Sequence, residues 1–332
     1  MPRPRIAVLY VGGSIGMIRN RTTGRIEPIE SLVEIHRFIP ELQRDVSLQF
    51  HSIANLGSSE VTPKHWVEMV KVIKKNYDHC EGFVIIHGTN TMSYTAAALT
   101  FALQNLSKPV VLTGSLKPID DIGSDARTNL TFAIEAALLD IAEVCIVLGP
   151  RVLRGSRAKK ADHSMIETFQ SPKYPPLAEF NVSVSQFPSR TVRRKRTLAV
   201  KPEFDANIVS VMLHPGMPDS FFEALLNAKP HGIVLRAYGQ GMLPEHLFPW
   251  LRRATTMHIP IVITSQLLRG SIDLSQYRKQ LILEELGVIS GKDMTYDCAI
   301  VKLMWVLAHT KNPKKIRELM EKNLTGELTE TA

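Results

Sequence analysis

The sequence has few cysteines, and those it has are not paired. Cys80, Cys145 and Cys298 are the only three in 332 residues, and they lie far apart. An odd, scattered set argues against a disulfide framework, and it lacks the spacing of a cysteine-ligated metal site. We therefore expect a reducing, cytoplasmic environment and neither a metal ion nor an organic cofactor.

Long apolar runs are also missing. No segment approaches the ~18 consecutive apolar residues of a membrane-spanning helix. The early run from Ile6 to Val11 is too short for a signal peptide, and no small-residue cleavage site follows it. This pattern favours a first buried strand, and we expect no association with a membrane.

Acidic residues are in the minority, with 32 Asp and Glu against 40 Lys and Arg and a formal net charge of +8. Much of the local excess lies in the tract Thr191 to Arg196. It could be a nucleic-acid patch or a solvated linker. Neither interleaved aromatic residues nor a nucleic-acid motif accompanies it, so the linker interpretation is favoured and no nucleic-acid partner is expected.

The chain has enough hydrophobic residues, 44% of the total, to form a sizeable buried core. Short β-branched runs, such as Gly82 to Gly88, alternate with helical patterns in both halves of the chain, which is typical of an α/β fold with a parallel sheet. Helices are predicted from Pro63 to Tyr77, after the cap residue Thr62, and from Asp297 to Ala308, which is the final one. The sequence predicts a larger N-terminal α/β domain with a doubly wound, mainly parallel sheet, and a smaller C-terminal α/β domain. The expected ranges are 1–186 and 207–332, joined by a linker at 187–206 that is rich in Pro, Ser and Arg.

Three of the predicted strands end in glycine followed by hydroxyl residues: Val11 to Ser14, His87 to Thr91 and Leu112 to Ser115. Open parallel sheets bind ligands beyond the carboxyl ends of their strands, and glycine permits close backbone approach. A single such turn could equally hold only a helix N-cap. Three on neighbouring strands indicate a polar pocket at one edge of the sheet.

A hydroxyl nucleophile needs a base, and Lys160 is the candidate. It lies in a basic loop with Lys159, Arg154 and Arg157, whose charges would lower the pKa of a neighbouring lysine. The alternative is a solvated basic loop without a catalytic role. His87 stands between an apolar strand and a glycine, which favours a packed histidine over a Ser–His–Asp arrangement.

Five segments taken together resemble the L-asparaginase family over essentially the whole chain. They are Val11 to Met17, His87 to Phe101, Val110 to Leu130, Arg154 to Ala161 and Gly287 to Thr310. The resemblance implies the two-domain α/β fold of that family and a mobile lid, here Arg19 to Ile29. It also implies a homodimer or a dimer of dimers that acts on a small-molecule amide.

The resemblance also assigns the site residue by residue. The catalytic positions would be Ser14, Thr89, Asn90 and Lys160. The substrate-binding positions would be Gly13, Arg25, Ser58, Ser59, Gly88 and Ser115, with oxyanion donors from the backbone of Gly88 and Thr89. The expected reaction is hydrolysis of L-asparagine, or a related side-chain amide, to L-aspartate and ammonia through an acyl-enzyme.

Three positions depart from the family pattern. Ser14 replaces a threonine, Arg25 replaces the lid tyrosine, and Asn90 replaces the aspartate that binds the substrate ammonium and orients the lysine. The loss of the carboxylate predicts weakened activity on free asparagine. Two alternatives follow: a catalytically impaired relative that only binds a ligand, and a subunit of a tRNA-dependent amidotransferase.

Overall fold

The computed structural model describes residues 2–20, 22–29, 35, 37–40 and 45–330. They divide into two compact units, Met1–Pro202 and Glu203–Ala332. The stretch 187–202 of the expected linker thus belongs to the first unit. Each unit has its own buried apolar core.

The described part of the first unit alternates strands with helices. Its strands are β1 (Arg5–Tyr10), β2 (Met17–Arg19), β3 (Ile26–Pro28), β4 (Ser47–Ser52), β5 (Gly82–Ile86), β6 (Leu103–Gln104), β7 (Val110–Thr113), β8 (Val144–Val147), β9 (Arg151–Arg154), β10 (Lys159–Lys160), β11 (Phe169–Gln170), β12 (Ala178–Phe180), β13 (Val184–Gln186) and β14 (Ala199–Val200). Its α-helices are α1 (Pro63–Asn76), α2 (Met92–Ala102) and α3 (Ala126–Ala136).

Eight of these strands form one sheet in the order β13-β12-β9-β8-β7-β5-β1-β4. From β4 to β8 all neighbours run parallel, and β9, β12 and β13 continue antiparallel. Every residue of β5, β7 and β8 is buried, as expected for strands covered on both faces. The predicted parallel sheet is therefore confirmed, and β1, β5 and β7 are adjacent within it.

The helix predicted after Thr62 is α1. Thr62 has an extended backbone and Pro63 follows at the first helical position. The N–H of Thr62 donates to His65 Nδ1 at 3.0 Å, so the cap is reciprocal. The apolar face, with Trp66 and Ile73 among its members, is buried at the spacing that the sequence indicates.

The described part of the second unit repeats the theme on a smaller scale. Its strands are β15 (Ile208–Met212), β16 (Gly232–Ala237), β17 (Ile261–Ser265) and β18 (Ile289–Ser290), all parallel and in that order. Its α-helices are α4 (Asp219–Asn227), α5 (Phe248–Thr256), α6 (Arg278–Glu285), α7 (Tyr296–His309) and α8 (Pro313–Glu321). The last helix that the sequence predicts is α7, whereas the structure has α8 after it. The α/β fold class is confirmed.

The basic tract at 191–196 is not a solvated linker throughout, so that interpretation is wrong for Arg193. Its guanidinium donates to the carbonyl oxygens of Leu139 and Ala137, at 2.8 and 2.9 Å, just beyond the end of α3. The last carbonyls of a helix have no partner within the helix, and a cation there is favourable. Arg193 therefore caps α3, whereas Arg194, Lys195 and Arg196 are exposed.

No helix in the part of the chain that the structure describes is both long and apolar enough to cross a membrane.

Candidate active site

The ends of β1 and β5 touch through glycine. Gly13 has a φ of +95°, and a Cβ atom on it would lie 2.7 Å from the amide nitrogen of Gly88. A Cβ atom on Gly88 would in turn lie 2.9 Å from Cβ of Ser58. Such distances exclude any side chain at either glycine. Gly13, Gly88 and Ser58 are therefore in direct contact.

The end of β7 joins the same group. A Cβ atom on Gly114 would lie 3.4 Å from Cγ2 of Thr89 and closer still to the backbone of His87. The next residue, Ser115, is buried, and its hydroxyl donates to the carbonyl of Lys117 at 2.7 Å. The three glycine–hydroxyl turns thus converge at one edge of the sheet, as the sequence predicts.

Lys160 reaches this edge from the short hairpin of β10 and β11. Its ammonium nitrogen lies 2.7 Å from Thr89 Oγ1 and 2.7 Å from Asn90 Oδ1. Thr89 is buried whereas Asn90 is exposed, so the cluster extends from the sheet edge to solvent. The structure therefore brings together three of the four expected catalytic side chains, although 70 residues separate Lys160 from Asn90.

Burial lowers the pKa of the Lys160 ammonium below its ordinary range. The sequence predicts such a shift from the charges of Arg154 and Arg157, and this prediction of the cause is wrong. Arg154 is buried in an ion pair with Glu143, with Nε 2.6 Å from the carboxylate. Its charge is thereby compensated, and desolvation is the cause that the structure shows.

Ser14 and Ser58 lie beside the contact between Gly13 and Gly88. Ser14 follows Gly13 directly and opens a short 3-10 turn, with its side chain partly exposed. Ser58 is buried, and its carbonyl oxygen accepts a hydrogen bond of 2.7 Å from the Thr91 hydroxyl. Ser59 is exposed, with its hydroxyl 3.4 Å from a carboxylate oxygen of Glu60.

Arg25 is an expected site residue for which the structure shows no contact with the cluster. It is exposed at the end of the hairpin formed by β2 and β3. Its N–H donates to Thr23 Oγ1 at 3.3 Å, and its carbonyl accepts from the N–H of Asn20. Among the described residues of this hairpin, none is hydrogen-bonded to Lys160. Arg21 of the expected lid lies outside the described residues.

His87 is a packed histidine, as the sequence predicts. It is fully buried, with Nδ1 2.7 Å from the carbonyl of Gly88 and Nε2 3.0 Å from the hydroxyl of Thr95. Burial lowers the pKa of its imidazole to about 4, against a smaller opposing effect of the hydrogen bond to Gly88. The ring is therefore neutral near pH 7.

Two positioning residues, Thr91 and Asp125, are not among the site residues that the sequence predicts. The Thr91 hydroxyl joins the turn after β5 to the Ser58 segment, as described above. Asp125 is buried, and its carboxylate accepts from the N–H groups of Leu116 and Lys117 and from the side-chain amide of Asn129. It thereby holds the turn that carries Ser115. Both belong to segments that resemble the family, but their partners depend on tertiary contacts.

The cluster combines hydroxyl groups, a partly desolvated lysine and closely packed backbone amides. These groups suit the attack of a hydroxyl on a carbonyl carbon. In the ranges that the structure describes, no group of three or more His, Cys, Asp or Glu side chains could hold a metal ion.

Both units of this chain are similar in sequence to known proteins. The family profile "Asparaginase, N-terminal" matches residues 5–192, and "Glutaminase/Asparaginase C-terminal domain" matches residues 207–320. L-asparaginase 1 of Escherichia coli K12 is 35% identical, covering 99% of each chain. One of the subunits of the glutamyl-tRNA(Gln) amidotransferase of Pyrococcus furiosus is 34% identical, covering 98% of this chain and 77% of that protein. The structure of the L-asparaginase from Thermococcus kodakarensis superimposes with a TM-score of 0.92 at 32% identity, covering 98% of this chain and 100% of the other.

Proposed function

This chain belongs to the asparaginase family of amidohydrolases, and on that premise we propose that it hydrolyses the side-chain amide of L-asparagine, or of a closely related compound, to a carboxylate and ammonia. The observation that carries the proposal is the hydrogen-bonded cluster of Lys160, Thr89 and Asn90 beside the turn that bears Ser14. Asn90 makes free asparagine a weakened substrate.

The proposed chemistry uses Ser14 as the nucleophile. Its oxygen forms a bond to the amide carbon and its proton is transferred away, while the C–N bond breaks and ammonia leaves with one added proton. Water then attacks the resulting ester and restores Ser14 and a carboxylate. Neutral Lys160 takes up the proton through the Thr89 hydroxyl that it contacts. The N–H groups of Gly88 and Thr89 stabilise the oxyanion.

The remaining expected site residues have binding roles in this proposal. Gly13 allows the two backbone segments to meet, and Ser58, Ser59 and Ser115 line the pocket around the substrate. Arg25 lies on the hairpin that would cover it. Support comes from the contacts among Gly13, Gly88 and Ser58, which place these segments side by side.

An amidotransferase role is the second candidate. The relative from Pyrococcus furiosus supports it, since 98% of this chain aligns with that protein. Such a role would use the same amide chemistry to supply ammonia to another protein. We favour the independent hydrolase because L-asparaginase 1 of Escherichia coli is at least as similar in sequence and the L-asparaginase from Thermococcus kodakarensis superimposes closely.

The family relationship also supports a homodimer or a dimer of dimers. The three cysteines are buried, which is compatible with a cytoplasmic location. Static light scattering at micromolar concentration should give at least twice the 37.2 kDa mass of the chain. A monomeric mass would contradict the assembly without affecting the proposed chemistry.

Ammonia release from a panel of amides tests the function. The panel contains L-asparagine, L-glutamine, N-acetyl-L-asparagine and succinamic acid, each incubated with the wild type and with Ser14→Ala. We expect the wild type to release ammonia from at least one amide and Ser14→Ala to release none above background. If the wild type turns over none of them, the ligand-binding alternative gains support.

A further inference from the structure

A chain of buried hydrogen bonds runs from α1 through α2 to the peptide bond between Gly88 and Thr89. The indole N–H of Trp66 donates to Thr95 Oγ1 at 3.0 Å. The same oxygen lies 3.0 Å from His87 Nε2, and His87 Nδ1 lies 2.7 Å from the carbonyl oxygen of Gly88. His87 and Thr95 are fully buried, and Trp66 nearly so.

Trp66, at the start of this series of hydrogen bonds, indicates where each proton lies. An indole N–H can only donate, so the Thr95 oxygen accepts from Trp66. The hydroxyl proton of Thr95 is then free to point at His87 Nε2, which accepts it. A neutral imidazole that accepts at Nε2 carries its proton at Nδ1. That proton is donated to the carbonyl of Gly88.

This bond acts on a peptide that faces the active site. No described residue has a cis peptide, so the bond between Gly88 and Thr89 is trans and its N–H points away from its C=O. With the carbonyl held at His87, the N–H of Thr89 is directed away from the imidazole. This N–H has no hydrogen-bond partner among the residues that the structure describes. A hydrogen bond at the carbonyl also polarises the whole amide and makes its N–H a stronger donor.

We infer that Trp66, Thr95 and His87 form a positioning chain that orients the N–H of Thr89 as an oxyanion donor and strengthens it. The inference rests on the proposed function, since it assigns that N–H to the oxyanion of the amide-hydrolysis step. His87 transfers no proton in this role. It acts through the peptide, and Thr95 acts through His87.

Replacement of Thr95 tests the chain. Thr95→Val keeps the shape of the side chain but removes the hydroxyl that donates to His87 Nε2, so the imidazole is held only through Nδ1 and its orientation against the Gly88 carbonyl is less fixed. Thr95→Ser restores the hydroxyl. Thr100→Val is the matched control, because Thr100 is also buried on α2 and its hydroxyl donates to the carbonyl of Ala96 in the same helix.

The measurements are kcat and KM on the amide that the wild type hydrolyses fastest. Loss of an oxyanion donor costs about 10²–10³-fold in kcat, and a donor that is present but misaligned should cost about 10–100-fold. We expect that loss in Thr95→Val, with KM changed by less than about 3-fold, since the donor acts in the transition state. Thr95→Ser and Thr100→Val should retain kcat within about 3-fold of the wild type.

Three results would overturn the inference. In the first, folded Thr95→Val keeps the wild-type kcat. In the second, Thr95→Val and Thr100→Val lose kcat equally, which would indicate general loosening of α2. In the third, long-range ¹⁵N–¹H spectra of the wild type near pH 7 show the proton of His87 at Nε2 instead of Nδ1. The third measurement decides the matter even if Thr95→Val does not fold. A wild type without turnover of any amide would instead refute the proposed function and this inference with it.

Discussion

Lys160 donates a hydrogen bond of 2.7 Å to Oδ1 of Asn90, so one of the two lone pairs on the acceptor atom of this amide is already in use. The remaining atom of the side chain is an N–H₂ group, which only donates. A substrate ammonium also only donates. Asn90 therefore offers an ammonium at most the second lone pair of a neutral oxygen, without the charge of a carboxylate.

Asn90→Asp should raise kcat/KM on L-asparagine. A carboxylate can accept from Lys160 and from an ammonium at once, and a charge-assisted bond in a partly desolvated site contributes on the order of 1–3 kcal/mol. This corresponds to about a 10–100-fold gain, with little gain on N-acetyl-L-asparagine. Asn181 lies in the turn between β12 and β13. Asn181→Asp adds the same charge there and should change kcat/KM on neither L-asparagine nor N-acetyl-L-asparagine. A fully active wild type that Asn90→Asp does not improve would contradict the prediction.

Ser14→Ala should abolish amide hydrolysis, whereas Ser14→Thr should keep or raise it. Ser14 opens the 3-10 turn next to the Gly13–Gly88 contact, and only its hydroxyl can attack. Threonine keeps this hydroxyl, and its methyl group restricts the rotamer. The measurement is the rate on the best amide. Wild-type turnover by Ser14→Ala would exclude Ser14 as the nucleophile.

Lys160 should give the reaction an alkaline pH dependence. A base acts when deprotonated, so kcat/KM should rise with pH. Because burial lowers the pKa of Lys160, the rise should be centred below the ordinary lysine value of about 10.4. Lys160→Met should remove the rise and lower the rate by roughly 10²–10⁴-fold. Lys159 is the adjacent residue on β10, and Lys159→Met should retain both the rise of kcat/KM with pH and the wild-type rate. An unchanged pH profile in Lys160→Met would argue for another base.

A buried ion pair in the second unit predicts a large effect on stability. Lys302 in α7 and Glu327 are both fully buried with N and O 2.5 Å apart, and Lys302 also donates to the carbonyls of Met320 and Lys322. Lys302→Met or Glu327→Leu leaves one buried charge without its partner and should destabilise by about 3–5 kcal/mol.

The double variant of this pair should be less destabilised than the sum of the two single variants, because no unpaired charge remains. Denaturant unfolding measures all three. Glu318→Ala is the control, since its pair with Lys315 is exposed and should leave the unfolding midpoint unchanged. Additive losses would show that the two side chains stabilise the fold independently.

The sequence by itself determined the order of strands and helices and the kind of chemistry at the site. Apolar runs such as Gly82–Ile86 and the 3.6-residue periodicity of Pro63–Asn76 are local signals, and they predicted β5 and α1 closely. Glycine followed by hydroxyl residues at three strand ends predicted a polar edge, because carboxyl ends of parallel strands must share one edge. The short helix α8 was missed, although Asn312 caps it, Pro313 opens it, and Ile316 and Met320 are buried one turn apart.

Only the tertiary structure determined which groups each charged or polar side chain contacts. The sequence indicated that Lys160 could be a base, but not that its nitrogen lies 2.7 Å from Thr89 Oγ1. It also assigned the lowered pKa of Lys160 to the charge of Arg154, although Glu143 neutralises that charge. It described Arg193 as part of a solvated linker, although the end of α3 offers carbonyl oxygens that bind its guanidinium. The sequence gives the charge of each residue. The free energy of that charge depends on its burial and on neighbouring groups from distant parts of the chain, which only the fold brings together.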